Sequence, residues 1–415
     1  MLLSDSAIAT GHVGISIYDP EKEKFLFRLN DEKKFLPAST TKLFTLYAGM
    51  KYLGDSLAGL YYSIKNDTLF VQPSADPTFL HPDFQQQPVH QFLNNSPYPV
   101  VVLDNEKYPD PYGKGWSIDD INQSYLPQRS AFPVCGNLLH LEWRRNPDAQ
   151  SDFPYTLSEI NSDLPDFSIL KKTDASARQN NISRIMGTHH YEVTLTGNEE
   201  YIKQDIPFET NGIATGFHIL KNSLYRIPQL QKSNIKNHYG FTPVYSQSSD
   251  SVFSLMMHHS DNFYAEQILL MVGDRLNGAL NTDLSIDTLL KNDFKDIPHT
   301  PRWVDGSGLS RYNLFSPQDE IYIMKKLVDS FGISRIEKIL PTGGEGTLKN
   351  LWTSDAGFIY AKTGSMSNIY CISGLLHTSK GKTLYFSIMV NNFIGKSAAV
   401  KKAIENFVHA IREIN

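Results

Sequence analysis

The sequence has few cysteines and no long uncharged apolar run. Its 415 residues include only two cysteines, Cys135 and Cys371, which are too few for a disulfide framework, and their spacing matches no metal motif. We expect two free, buried thiols, with a single bridge between them as the open alternative. No stretch approaches the roughly 18 apolar residues that a membrane span needs, so no transmembrane segment is predicted.

Charge of neither sign dominates, and no Lys/Arg-rich run occurs. The formal net charge is −5, with 40% hydrophobic and 20% charged residues, which is typical of a folded globular protein. These values argue against a nucleic-acid partner and against a polybasic membrane anchor. The length allows two or three domains with a large core.

Both ends of the chain show regular hydrophobic periods. The stretch "HVGISIYD" (His12 to Asp19) alternates apolar and polar residues, which predicts a strand, and "EKFLFRLN" follows as its hairpin partner. The next stretch, "TKLFTLYAGMKYLG", predicts a helix with its apolar residues on one face and Gly54 as the C-cap. Near the other end, "NIYCISGLLH" and "KTLYFSIMVNNF" predict two strands, and "SAAVKKAIENFVHAIREI" predicts an amphipathic helix.

The middle of the chain has a different character. From about residue 61 to 244, short β-type pieces alternate with loops rich in Pro, Asn, Asp and Ser. A helical period returns with "SVFSLMMHHSDNFYAEQILLMVGDRL" and again with "PQDEIYIMKKLVDSFG". We therefore predict a discontinuous domain of residues 1–60 and 245–415, interrupted by a β-rich insertion of residues 61–244 in two subdomains.

A Ser-x-x-Lys motif occurs four times, so the motif alone is weak. The pairs are Ser39/Lys42, Ser168/Lys171, Ser233/Lys236 and Ser379/Lys382. Only the first pair opens an amphipathic helix, where residues i and i+3 share a face and the lysine can reach the serine hydroxyl. A serine in the first helical turn also lies at the positive end of the helix dipole. Context therefore favours Ser39 as a nucleophile with Lys42 as its base.

Two further tripeptides, each present once, complete a set. Ser-Asp-Asn occupies residues 260–262 and Lys-Thr-Gly occupies residues 362–364. Acyl transfer requires a hydroxyl nucleophile, a base within hydrogen-bond reach and donors for the oxyanion. In that chemistry Ser260 can relay a proton to the leaving group, and the Asn262 amide can hold Lys42 or a substrate carbonyl.

The third tripeptide suits the binding of a substrate terminus. On a strand, Lys362 and Thr363 can bind a substrate carboxylate, and Gly364 would let the substrate backbone approach closely. Ser-x-x-Lys, Ser-Asp-Asn and Lys-Thr-Gly, in this order, are the signature of class A β-lactamases and penicillin-binding proteins.

The spacing of the motifs distinguishes between these groups of proteins. More than half of the chain lies between Lys42 and Ser260, where a class A β-lactamase has only a short helical segment. A long β-rich insertion at this point resembles the peptidase S13 family, the penicillin-binding protein 4 type of D-alanyl-D-alanine carboxypeptidase. The stretches "GWSIDDINQSYLPQRSAF", "DGSGLSRYN" and "LPTGGEGTLKN" are also similar to that family, and "DPTFLHPD" is similar to its Gly-Asp-Pro segment without the glycine.

The resemblance implies an α/β (α+β) fold with a five-stranded antiparallel sheet flanked by helices and an active site at the sheet edge. The backbone N–H groups of Ser39 and Ser365 would form the oxyanion hole. No metal and no organic cofactor is implied, and the His pairs at 189–190 and 258–259 lack the spacing of zinc ligands. The implied site residues are Ser39, Lys42, Ser260, Asn262, Lys362, Thr363, Gly364 and Ser365.

The expected function is that of a serine D,D-peptidase. It would cleave the terminal D-Ala, or the D-Ala crosslink, of peptidoglycan stem peptides, and β-lactams would acylate it. The expected location is periplasmic or extracytoplasmic. Because the first residues lack the basic and apolar regions of a signal peptide, this location implies a leader already removed. The alternatives are a related hydrolase, such as a β-lactamase, D-amino-acid amidase or esterase, and a non-catalytic peptidoglycan-binding module.

Overall fold

The computed structural model describes residues 2–146, 148, 153–160, 163–174, 176–196, 199–235 and 238–415. The strands within these residues are β1 (His12–Asp19), β2 (Lys24–Leu29), β3 (Ser56–Lys65), β4 (Thr68–Pro73), β5 (Val100–Asp104), β6 (Leu138–Arg145), β7 (Tyr155–Ile160), β8 (Ser168–Thr173), β9 (Asn181–Arg184), β10 (His190–Leu195), β11 (Tyr201–Pro207), β12 (Gln229–Lys232), β13 (Thr242–Ser248), β14 (Ile359–Met366), β15 (Ile369–His377) and β16 (Thr383–Asn391). The helices are α1 (Lys42–Tyr52), α2 (Pro88–Asn94), α3 (Ala214–Ser223), α4 (Ser249–His258), α5 (Asn262–Asn277), α6 (Thr282–Asn292), α7 (Pro317–Phe331), α8 (Ile333–Ile339) and α9 (Ser397–Ile414). None of these helices is long and apolar enough to cross a membrane.

Strands from both ends of the chain form one antiparallel sheet in the order β14–β15–β16–β1–β2. Successive residues of a strand point to opposite faces. Accordingly, Leu376 and Leu384 pack with helix α9, whereas their neighbours Leu375 and Tyr385 pack with the core that contains α1, α5 and α7. The predicted α+β class, with a five-stranded antiparallel sheet between helices, is confirmed.

Helix α1 is buried on all sides over most of its length. The sequence predicted a one-sided apolar face, but every residue from Lys42 to Met50 is buried. The reason is that α4, α5 and α7 all contact α1, so the helix is surrounded. A lysine at its first position is therefore placed inside the protein.

The predicted helical run after Ser251 is interrupted once. Helix α4 ends at His258 and α5 begins at Asn262, because Ser260 has a left-handed φ of 58° and Asp261 caps the new helix by accepting from the Tyr264 N–H at 2.9 Å. The Ser-Asp-Asn tripeptide thus forms the junction between two helices.

The described part of the middle region contains three further sheets. One has the order β12–β5–β4–β3–β13, and two three-stranded sheets have the orders β8–β10–β9 and β11–β6–β7. Asn66 and Asp67 form the two-residue β3–β4 turn with φ values of 48° and 54°, as such hairpins require. An apolar core that includes Cys135 joins the sheets, and both cysteines are buried and not joined by a disulfide, as predicted.

Candidate active site

Ser39 lies on a tight turn that leads directly into α1. Pro37 precedes a 3-10 turn over Ala38–Thr41, so Ser39 stands just before the α-helix and not in its first turn. Ala38 has a left-handed φ of 49°, a strained conformation that is common at functional sites. The neighbours Ala38 and Thr40 are buried, whereas Ser39 is partly exposed and lines the cleft described below.

Lys42 is fully buried and meets three oxygen acceptors. Its Nζ lies 2.9 Å from Ser39 Oγ, 2.6 Å from Asn262 Oδ1 and 2.7 Å from the Ser307 carbonyl oxygen. An ammonium group has three N–H donors, so these three oxygens match it. Burial lowers the pKa of Lys42 to about 8, although nearby carboxylates oppose this shift. The amine can therefore lose its proton close to neutral pH.

The Ser-Asp-Asn junction provides the second wall of the site. Ser260 Oγ accepts from Lys362 Nζ at 2.8 Å. Asn262 binds Lys42 through its Oδ1 and donates through its Nδ2 to the Tyr125 carbonyl at 2.8 Å. Of the two roles considered for Asn262 from the sequence, the structure places its amide on the lysine.

The Lys-Thr-Gly motif lies on β14, the edge strand of the sheet, and provides the third wall. Lys362 is fully buried and also donates to the Thr363 carbonyl at 2.7 Å. Burial, and then the charge of Lys42, lower the pKa of Lys362 well below its usual value. Thr363 and Ser365 line the cleft.

Gly364 leaves room for a close contact between β14 and the turn that carries Ser39. A Cβ atom there would lie 2.4 Å from the Pro37 carbonyl oxygen and 2.9 Å from the Ser39 nitrogen. Because Gly364 has no side chain, the turn that carries Ser39 can pack directly against β14. The close approach to a substrate that we expected of this glycine is not needed to explain it.

The "DGSGLSRYN" stretch holds the third acceptor of Lys42. Asp305 accepts from the Gly308 N–H at 2.9 Å and from the Ser310 N–H at 2.6 Å, which fixes the loop. Gly308 has a φ of 85°, and a Cβ there would lie 1.9 Å from the Ala38 carbonyl oxygen. Sequence analysis named this stretch for its resemblance but gave Ser307 no role.

The other Ser-x-x-Lys pairs lie elsewhere. Ser168 begins β8 and its Oγ lies 2.7 Å from His190 Nδ1. Ser379 is in the turn between β15 and β16, where its Oγ donates to the Arg412 carbonyl at 3.1 Å. Ser233 follows β12, and its partner Lys236 lies outside the described residues. Of the four serines, only Ser39 lines the cleft.

The three walls enclose a cleft of about 1210 Å³. Asp120 and Tyr125, from the middle region of the chain, contribute to its lining, as do residues of α9. The buried amines lie behind this surface, each bonded to a serine that lines it. The arrangement places two lysine–serine pairs, Lys42–Ser39 and Lys362–Ser260, at one open cleft, and a serine hydroxyl beside a buried amine is chemically suited to nucleophilic attack.

Comparison with known proteins identifies the family. The penicillin-sensitive carboxypeptidase A of Dictyostelium discoideum is 28% identical over 172 residues, which are 36% of this chain and 31% of that protein. The D-alanyl-D-alanine carboxypeptidase of Actinomadura sp. (strain R39) is 30% identical over 171 residues, 36% of this chain and 29% of the relative. The matched segments thus span about a third of each relative's length.

The fold comparison covers far more of the chain. The crystal structure of penicillin binding protein 4 from Haemophilus influenzae shares 17% identity, has a TM-score of 0.79 and covers 97% of each chain. At that identity the similarity shows a shared fold. The family description matches residues 1–413. The chain belongs to the D-Ala-D-Ala carboxypeptidase 3 (S13) family.

Proposed function

We propose that the protein is a serine D,D-peptidase that acts on the D-Ala-terminated stem peptides of peptidoglycan through a Ser39 acyl-enzyme. The observation that carries this proposal is the 2.9 Å contact between Lys42 Nζ and Ser39 Oγ at the base of an open cleft. Membership of the S13 family supports the same activity.

In the acylation step, Ser39 Oγ attacks the carbonyl carbon of the penultimate D-Ala. Lys42, in its neutral form, takes the hydroxyl proton as the O–C bond forms. The backbone N–H groups of Ser39 and Ser365 would stabilise the oxyanion. When the C–N bond breaks, the departing amine needs a proton, and the Ser260 hydroxyl would relay to it the proton that Lys42 took from Ser39.

The second lysine suits recognition of the leaving group. A free D-Ala terminus carries a carboxylate. Thr363 lines the cleft, and the buried Lys362 lies behind the cleft surface. A carboxylate that accepts hydrogen bonds from these side chains would be oriented for departure as D-Ala. Water would then hydrolyse the ester and regenerate Ser39.

The test is D-Ala release from a stem pentapeptide that ends in D-Ala-D-Ala. We expect release by the wild-type protein and none by Ser39→Ala. Benzylpenicillin should form a long-lived adduct in the same preparation. Rapid penicillin turnover without D-Ala release would instead favour a β-lactamase, and neither activity would favour a binding module.

The substrate also determines the proposed location. Peptidoglycan lies outside the cytoplasmic membrane, so a D,D-peptidase must work there. We therefore propose an extracytoplasmic site of action, with β-lactams and stem peptides as ligands. Fractionation of cells that express the protein from its native gene would test the location.

A further inference from the structure

We propose that Glu266 is a positioning residue for Lys42. In this proposal Glu266 acts through the Ser307 peptide, and Arg129 of the insertion favours the charged form of the Glu266 carboxylate. The inference rests on the proposed function, in which Lys42 is the base for Ser39. It assigns a task to a buried carboxylate that no motif marks as part of the site.

The geometry is a chain of short contacts between two helices. Glu266, on α5, accepts from the Ser307 N–H through Oε1 at 2.8 Å, and the Ser307 carbonyl accepts from Lys42 at 2.7 Å. The preceding Gly306 carbonyl accepts from Thr45 Oγ1 of α1 at 2.7 Å. A Cβ at Gly306 would lie 2.6 Å from the Ala265 carbonyl oxygen, so the loop lies directly on α5.

This loop matters because it determines where the amine's lone pair points. A neutral amine has two N–H groups and one lone pair. If Asn262 Oδ1 and the Ser307 carbonyl each accept one N–H, the lone pair faces Ser39 Oγ. Without a fixed Ser307 carbonyl the amine can rotate, and the lone pair is no longer held toward the proton that it must take.

The charge of Glu266 depends on its burial and on its ion pair with Arg129. Glu266 and Arg129 are 2% and 5% exposed, and Arg129 Nη1 lies 3.4 Å from Glu266 Oε2 and 2.6 Å from Thr282 Oγ1. Within the described part of the chain, Asp305 and Lys42 also interact electrostatically with Glu266. Burial and then Asp305 raise the pKa of Glu266, and Arg129 opposes them, which leaves the pKa at about 7.

Glu266 in turn acts on the base. Its negative charge stabilises the Lys42 ammonium and so opposes the lowering of the Lys42 pKa by burial. Arg129 comes from the insertion and Glu266 from the helix that follows the Ser-Asp-Asn motif. Arg129 of the insertion therefore influences Lys42, the proposed base, through its buried ion pair with Glu266.

The experiment measures acylation of the full chain by benzylpenicillin across about pH 5 to 10. Glu266→Gln keeps the size and the acceptor oxygen but removes the charge. The ionisation that controls acylation should then move to lower pH by about one unit, with a similar plateau rate. Glu266→Ala also loses the acceptor, so its plateau rate should fall roughly tenfold to a hundredfold.

Arg129→Gln removes the cation that lowers the Glu266 pKa, so Glu266 should stay protonated to higher pH, in the range where Lys42 titrates. The profile should shift as in Glu266→Gln, and the double variant should show no additional shift. Asp293→Asn is the matched control, since Asp293 is also a buried carboxylate, paired with Lys51 and Tyr52 at the opposite end of α1. Its profile should match the wild type.

The outcomes separate two failures. Wild-type protein that benzylpenicillin does not acylate would overturn the proposed function and this inference together. Normal wild-type acylation, with Glu266→Gln and Arg129→Gln profiles that match Asp293→Asn, would overturn the inference alone. Thermal unfolding shows whether Glu266→Ala folds. If it does not fold, the pH profiles of Glu266→Gln and Arg129→Gln still test the inference.

Discussion

Two buried lysines meet at the cleft, and their surroundings differ. Lys42 has carboxylates nearby that partly offset its burial, so its pKa falls only to about 8. Lys362 bonds to the neutral Ser260 hydroxyl and the Thr363 carbonyl, and the charge of Lys42 adds to its burial. A substrate carboxylate would supply the negative charge that Lys362 lacks in the free protein.

We expect Lys42→Arg to acylate at least about a hundredfold more slowly than wild type, the usual scale of a lost general base. Arginine keeps the positive charge but cannot lose its proton. In the wild type, acylation should rise with pH as Lys42 deprotonates, with an ionisation near the pKa of about 8. Stopped-flow acylation with one β-lactam across pH checks both. Near-normal acylation by the arginine variant would mean that Lys42 is not the base.

Substrates with a free carboxylate should react much faster than their amides. The reason is that Lys362 and Thr363 offer a cation and a hydroxyl to a C-terminal carboxylate. Lys362→Ala should lose much of this preference. Parallel kcat/KM values for an acid and an amide peptide test it, and equal values for the wild type would remove the carboxylate role.

The sequence could point to Ser39 and Lys42 because their relation is local. Residues i and i+3 meet on any helical turn, so the pair could be proposed without a fold. Glu266 and Ser307 could not be found in this way, because their contact depends on how a distant loop packs on α5. The burial of Asp305 and the left-handed φ of Gly308 are equally long-range properties.

At the level of elements, strand β14 and the turn that carries Ser39 pack closely against each other. Gly364 leaves space for Pro37 and Ser39, and this space exists only because β14 lies at the sheet edge beside the turn. Strand periods at both chain ends were readable from sequence since each strand alternates. The all-round burial of α1 was not, because it results from three neighbouring helices.

Gly364→Ala should therefore impair acylation strongly. The added Cβ would lie 2.4 Å from the Pro37 carbonyl oxygen and must push the turn away from β14. We expect a loss of about 1 to 3 kcal/mol in stability and at least roughly a hundredfold in acylation rate. Chemical unfolding and acylation kinetics measure the two effects. A variant that acylates normally would show that the turn tolerates displacement.

For the whole molecule, the region between residues 61 and 244 contacts residues that lie behind the cleft. Arg129 contacts Glu266, and Trp116 contacts Asp305, whose Oδ2 accepts from the indole Nε1 at 2.8 Å. Composition could predict that this region is β-rich, but not that its loops would make these contacts. We keep the division into a discontinuous domain and an insertion as a proposal.

Trp116→Phe should slow acylation and destabilise the fold by about 1.5 to 3 kcal/mol, since it removes a hydrogen bond to a carboxylate. Trp143→Phe is the matched control, because within the described residues its buried Nε1 has no hydrogen-bond partner. The control should leave acylation unchanged. Equal effects of the two substitutions on acylation rate would mean that Trp116 acts only through its volume.

The site of acylation, which we propose to be Ser39, can be determined directly. The full chain is treated with excess benzylpenicillin, its intact mass is determined, and the modified peptide is mapped. The account predicts one covalent adduct per chain, located on Ser39 and absent from Ser39→Ala. An adduct on Ser168, Ser233 or Ser379, or no adduct on folded wild-type protein, would contradict it.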